Sequence, residues 1–124
     1  MATHEIPRAE WADFFDRFSD EHQGSLVTVD VVGEETGARV QARALPLVGV
    51  ELEQTGSEAN SIQIILGTQP GDHVRHSIRL PARVTLRDEV QGADVALAVE
   101  GQDRNTSVVL FNAAPVPAVA GGNG

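Results

Sequence analysis

A chain of 124 residues is the size of one domain, long enough to bury about two thirds of the surface its unfolded form exposes. Its composition, 41% hydrophobic and 22% charged, is that of a globular protein, and the lack of cysteine excludes disulfides, thiolate metal sites and a Cys nucleophile. The net charge is −9 and all nine basic residues are Arg, a balance that disfavours nonspecific binding to nucleic acid phosphate or to anionic lipid.

The opening "MATHEIPRAE" has neither a basic start nor an apolar core, and no apolar run approaches the ~18 residues of a membrane span. The expectation is a cytoplasmic protein with no membrane or nucleic-acid partner. From residue 7 to 22, Trp11, Phe14, Phe15, Phe18 and His22 recur at steps of three and four, with Glu10, Asp13, Asp16, Arg17, Asp20 and Glu21 between them. This predicts an amphipathic helix with one aromatic stripe, Pro7 in its first turn and Gly24 just past its end. Burying a large apolar side chain contributes roughly 1.5 to 3 kcal/mol, so four aromatics contribute about 6 to 12 kcal/mol before entropy, too much to leave in water. The stripe is therefore read as a core plug. Phe14 and Phe15 project about 100° apart, which leaves one of them available to touch a second subunit.

From Ser25 onward the apolar period is two. "LVTVDVV" (26–32) sets Val27, Val29 and Val31 on one face; "GEETG" turns the chain; and "ARVQARAL" (38–45) sets Val40, Ala42 and Ala44 opposite Arg39, Gln41 and Arg43. "LVGVELEQ" (47–54) and "SIQIILG" (61–67) form a second pair of strands, with Val48, Val50, Leu52, Ile62, Ile64 and Leu66 inward. "QPGD" reads as a type II turn. "HVRHSIRL" (73–80) then points Val74, His76, Ile78 and Leu80 inward, and after Pro81 "ARVTLRDEV" does the same with Val84 and Leu86. A last hairpin joins "ADVALAVEG" to "TSVVLF" through "QDRN". The fold class expected is α+β: an N-terminal amphipathic helix packed on an antiparallel barrel or roll of six to eight strands. Residues 1–111 form this single domain, and 112–124, without polar/apolar period, read as a flexible tail.

The blocks "IPRAEWADFFDRFSDEHQGSLVTVDV", "GARVQARALPLVGV", "DHVRHSI" and "ADVALAVEG…TSVVLF" together resemble an uncharacterised family of small bacterial proteins, a domain of unknown function. The resemblance spans residues 5 to 111 and is most specific at Ile6, Pro7, Trp11, Phe14, Phe18, Ser19, His22, Gly24 and Leu26. It implies the architecture and a bacterial origin, and it implies no activity.

Three places carry chemistry. The aromatic stripe, with His22 at its end, is assigned to the structural core. His76 stands at an apolar phase and is expected to point inward, where His22 could approach it; two such imidazoles, with His73, would be the first ligands to test for a metal, although a hydrogen-bonded core histidine explains the position as well. Arg75, Arg79, Arg83 and Arg87 fall every fourth residue, as do Arg39 and Arg43. On a strand such residues share a face at ~13 Å spacing, suited to an extended anionic ligand or acidic partner, or to ion pairing with neighbouring carboxylates. The spacing is similar to that of cyclic-dinucleotide receptor barrels, but the D/N-x-S-x-x-G element those need is missing: "GSEANS" does not match. No nucleophile elbow accompanies any Ser. The leading expectation is a non-enzymatic binding or interaction module, acting on a protein partner or as a homodimer, with no cofactor or metal. A small-ligand or anion receptor using Arg39, Arg43, Arg75, Arg79, Arg83, Arg87 and His76 is the alternative, and an enzyme of unknown reaction stands third.

Overall fold

The computed structural model describes residues 2–33, 37–54, 56, 60–68, 70–88 and 94–111. Strand β1 (Ala2–Ile6) is followed by a 3-10 turn (Arg8–Glu10) and helix α1 (Trp11–His22), then by β2 (Leu26–Gly33), β3 (Gly37–Glu53), β4 (Ser61–Leu66), β5 (Val74–Arg79), β6 (Pro81–Asp88), β7 (Asp94–Gly101) and β8 (Thr106–Phe111). The strands form one antiparallel sheet in the order β1-β6-β7-β8-β2-β3-β4-β5. The sheet is not closed. The architecture is the α+β class expected from the sequence, with the helix packed on a rolled sheet. Residues 112–124, expected to be a tail, lie outside the described residues.

Strand β3 makes the roll. Through Pro46 it pairs with β2, and from Leu47 to Glu53 it pairs with β4, so one continuous strand of 17 residues serves both halves where the sequence suggests two separate strands. Bulges allow the bend. The step from Val29 to Val27 in β2 spans Ala42 to Leu45 in β3, and Ala44 takes a left-handed φ of 52° there. A second irregularity sets Asp30 opposite Val40 and Val31 opposite Arg39. These offsets reverse the expected facing of Val40 and Ala44, while Ala42 is buried in the core as expected. Ala44 is exposed, Val40 is 46% exposed, and Arg39 falls in the register position across from the inward-phased Val31.

A second corner joins β5 to β6. Leu80, with φ 49°, donates its N–H to the Asn60 carbonyl at 3.0 Å and accepts from the Gln102 N–H at 3.0 Å. The turn puts Leu80 outside at 47% exposure, where the strand period places it inside. The 3-10 turn Pro70–Asp72 replaces the type II turn expected at "QPGD". Strand β1 is not evident in the sequence, because "ATHEI" is short and carries one apolar residue with strand propensity; it exists by pairing with β6.

The core fills the inside of the roll. Val27, Val29, Leu47, Val50, Ile62, Ile64, Leu66, Val84, Leu97, Val99 and Val109 are buried there together with Trp11, Phe14, Phe15 and Phe18 from α1. Both Phe14 (8% exposed) and Phe15 (1%) are covered by the chain itself, so neither is left at the stripe's edge for a second subunit. The rings of Phe14, Phe18, His22 and Phe111 form a chain of contacts from the helix to the end of β8, at centroid distances of 4.5–5.7 Å.

Helix α1 packs on β3 where β3 has left β2. There the Ser19 hydroxyl accepts from the Val50 N–H at 2.9 Å and donates to the Val50 carbonyl at 3.1 Å, closing both polar groups that an adjacent strand would otherwise engage. Gly24 donates to the Leu47 carbonyl and Leu47 to the Ser25 carbonyl, each at 2.8 Å, continuing the seam. Gly49 makes the approach possible: a Cβ there would sit 3.3 Å from Ser19 Oγ. At the other end of the helix Arg8 donates to Asn60 Oδ1 at 2.6 Å and to the Pro81 carbonyl at 3.3 Å, and lies 4.7 Å above the Trp11 ring. Trp11 Nε1–H donates to the Ile6 carbonyl at 2.8 Å.

Ser19→Ala is expected to cost about 1 to 3 kcal/mol in urea unfolding, because it strands two polar groups of Val50, although Ala is the better helix former. A neutral or stabilising result would show that the hydroxyl is idle.

Candidate functional site: the groove beside strand β5

The helix occupies one seam of the roll; the other seam holds a groove of about 510 Å³. It is lined by His76, Ser77, Ile78, Arg79 and Leu80 on one side, and by Val31, Ser107 and the β7–β8 turn residues Gln102, Asp103 and Asn105 on the other. Five consecutive residues of a strand and its corner can line one groove only if the groove runs along the strand's edge, because alternate side chains point to opposite faces. Strand β5 is that edge: among the described residues it pairs with β4 alone.

His76 points inward, across from Ile64, and shares a hydrogen bond of 2.9 Å between Nε2 and the Ser107 hydroxyl, whose direction follows the imidazole tautomer. Ser107 is 4% exposed, so the pair forms a polar floor under the groove. Burial pushes the His76 imidazole below its ordinary 6.5, leaving the ring neutral at physiological pH. Gly101 lets the two walls meet, since a Cβ there would lie 2.9 Å from Asp103 Oδ1 and 3.5 Å from the Arg79 carbonyl. Asp103 braces the turn, accepting from the Asn105 N–H at 3.0 Å and from its side-chain amide at 3.2 Å, and Arg104 beside it adopts φ 69°.

The arginines do not form one row. Arg75 and Arg79 share the outer face of β5, but the corner at Leu80 separates them from Arg83 and Arg87 on β6. Arg83 lies 3.7 Å from Glu100 and 3.9 Å from Glu5, an ordinary exposed ion pairing. Arg87 is opposite Ala96, and Arg43 sits at the β3 bulge; the reversed register separates it from Arg39, so these two do not share a face. Among the described residues, no carboxylate lies within 4.0 Å of Arg75 or Arg79. Only Arg79 and His76, of the residues singled out from the sequence, line the groove.

His22 does not approach His76. Its ring packs at a tilt against Phe18 and Phe111, and Phe111 is four residues along β8 from Ser107, a separation of ~13 Å. Among the described residues no group of three or more His, Cys, Asp or Glu side chains is placed to hold a metal ion, and His73 is exposed beyond the 3-10 turn.

Sequence reasoning missed Ser107 and the buried amide of Gln63. Gln63, 1% exposed, donates to Ser61 Oγ at 3.0 Å and accepts from Ser77 Oγ at 2.5 Å, fastening the outer face of β5 to β4. Both signals were present: Ser107 is in phase with the apolar Val109, and Gln63 interrupts the run "SIQIIL". A smaller hollow of about 370 Å³ near Arg8, Ala12, Leu52 and Asn60 is less available for ligands, because its cation is already bonded to Asn60 and Pro81.

Fold and groove together define a class: a small α+β protein whose rolled sheet is closed on one seam by an aromatic helix and left open on the other. The chain belongs to the Family of unknown function (DUF5335), whose model matches residues 2–117. Comparisons with curated proteins and with solved structures return no match. No helix among the described residues is long and apolar enough to cross a membrane.

The depressed pKa of His76 has a definite sign. Below about pH 6.5 the unfolded chain takes up a proton that the folded protein resists, so this group's contribution to stability, complete above that pH, is lost as pH falls. Between about pH 7.5 and 5 the urea midpoint of the wild type should therefore drop further than that of His76→Asn. Parallel pH profiles would show that His76 protonates as readily folded as unfolded. Arg79 and Asp103 line the same groove and are unchanged in both proteins.

Proposed function

We propose that the protein is a non-enzymatic binding module of the bacterial cytoplasm that receives another polypeptide in the groove beside β5. The observation that carries this reading is the position of the groove: it runs along a strand edge that is unpaired among the described residues, over the half-buried His76–Ser107 pair. Sheet edges of this kind bind extended segments by main-chain hydrogen bonds, with pockets for alternate side chains supplying selectivity. Rim residues Leu80 and Arg79 stand exposed at one end. A second reading, a receptor for a small anion, is favoured by Arg75 and Arg79, neither of which has a carboxylate partner among the described residues.

Selection from a displayed library of random peptides tests the first reading. Binders should be enriched on the wild type and lost on Leu80→Asp, which places a carboxylate on the groove rim while leaving the urea midpoint close to wild type. Binders indifferent to Leu80→Asp, or a library that yields none, would overturn it.

A further inference from the structure

Which groups β5 offers to its free edge follows from its pairing. The Leu80 N–H bonds to the Asn60 carbonyl, and Leu80 and Asn60 continue the register in which Ile78 faces Ile62 and His76 faces Ile64. In an antiparallel ladder hydrogen-bonded residues alternate, so Val74, His76 and Ile78 direct their main-chain groups to β4, while the N–H and C=O groups of Arg75, Ser77 and Arg79 point outward. These three residues also carry the outer-face side chains, two of them arginines without a carboxylate partner among the described residues. On the inner face the same edge presents His76 and Ile78, with Val31 and Ser107 across the groove.

We infer that β5 accepts an antiparallel strand from an acidic partner polypeptide, with carboxylates at alternate positions beside Arg75 and Arg79 and small apolar side chains turned into the groove over His76 and Val31. This names the partner class of the binding module proposed above and rests on that reading. Alternation follows from the pleat: residues directly opposite Arg75, Ser77 and Arg79 share their face, and opposite charges across strands are favourable there. Two other occupants fit worse. A second copy paired through its own β5 would bring arginine rows together, like charge beside like charge. The chain's own segment 112–124 has no acidic residue, and Pro115 and Pro117 lack N–H groups at alternate positions. An arginine-flanked edge is also a known way for a protein to prevent edge pairing, and the experiment separates the two roles.

The probes are three blocked heptapeptides: one alternating Val and Glu, one alternating Val and Lys, and the Glu peptide N-methylated at its glutamate amides. Binding to the full chain is read by fluorescence anisotropy, and amide exchange by NMR. The Glu peptide should bind and slow exchange of the Arg75, Ser77 and Arg79 amides, N-methylation should weaken it by about tenfold or more, and the Lys peptide should not bind. Arg75→Glu combined with Arg79→Glu, both exposed positions, should transfer preference to the Lys peptide. Equal binding of the methylated peptide would overturn strand addition and favour the small-anion receptor. Binding with shifts at His76 and Ser107 but no slowing of the three β5 amides would also overturn strand addition, while leaving the groove as the binding site. Failure of both charged peptides would overturn the inference in favour of a guarded edge; failure together with library binders that ignore the groove would remove the groove reading as well.

Discussion

The burial of Trp11, Phe14, Phe15 and Phe18 inside the rolled sheet is the constraint to which the rest of the fold answers. With four Phe, one Trp and no Tyr, the chain has few large side chains for filling the space between two halves of a sheet, and most of them are concentrated on one helix. The helix must then lie inside the seam. That position requires β3 to part from β2 at Pro46, and it leaves the edge of β3 with main-chain groups that no strand can reach. Ser19 at Val50 and the Gly24–Leu47–Ser25 bonds meet this need, and Gly49 gives the helix room to come close. One local choice, a helix where a strand would close the sheet, explains the long bent β3, the small residue beneath Ser19 and the Arg8 fastening at the helix start.

The opposite seam is the complement of this arrangement. Among the described residues no second α-helix covers it, and β5 ends the sheet with its edge beside the groove. His76 sits at an apolar phase across from Ile64, half-buried, and its Nε2 is satisfied by the buried Ser107 hydroxyl. A polar pair in this place, one member of it buried, leaves this seam chemically unlike the apolar seam that the aromatic helix fills.

Much of this was legible in the residues. The 3.6-residue period of the aromatic stripe and the period of two thereafter specify a helix and an antiparallel sheet, and the in-phase Val27, Val29 and Val84 of β2 and β6 are buried in the core, as are Ile62, Ile64 and Leu66 of β4, a strand buried on both faces. Alternation failed where the backbone leaves the regular ladder. The β3 bulges put Arg39 and Arg43 on different faces, and the left-handed Leu80 turns outward and divides the arginines of β5 from those of β6. Such breaks are set by how two halves of a sheet meet, and "ARVQARALPLVGV" contains only Pro46 and Gly49 to announce one. For the site, the inward phase identified His76, but its partner Ser107 lies 31 residues away and no spacing rule connects them.

The claim that helix and sheet share a single core is tested most directly by following one urea titration with two probes. Trp11, the sole tryptophan and 2% exposed, reports on the helix seam through its fluorescence, and far-UV circular dichroism reports mainly on the strands. The two transitions should coincide, with the same midpoint and slope, as one cooperative unit requires. Tryptophan exposure at a lower urea concentration, with the strand signal still intact, would mean that the helix is an appendage and that the sheet closes without it.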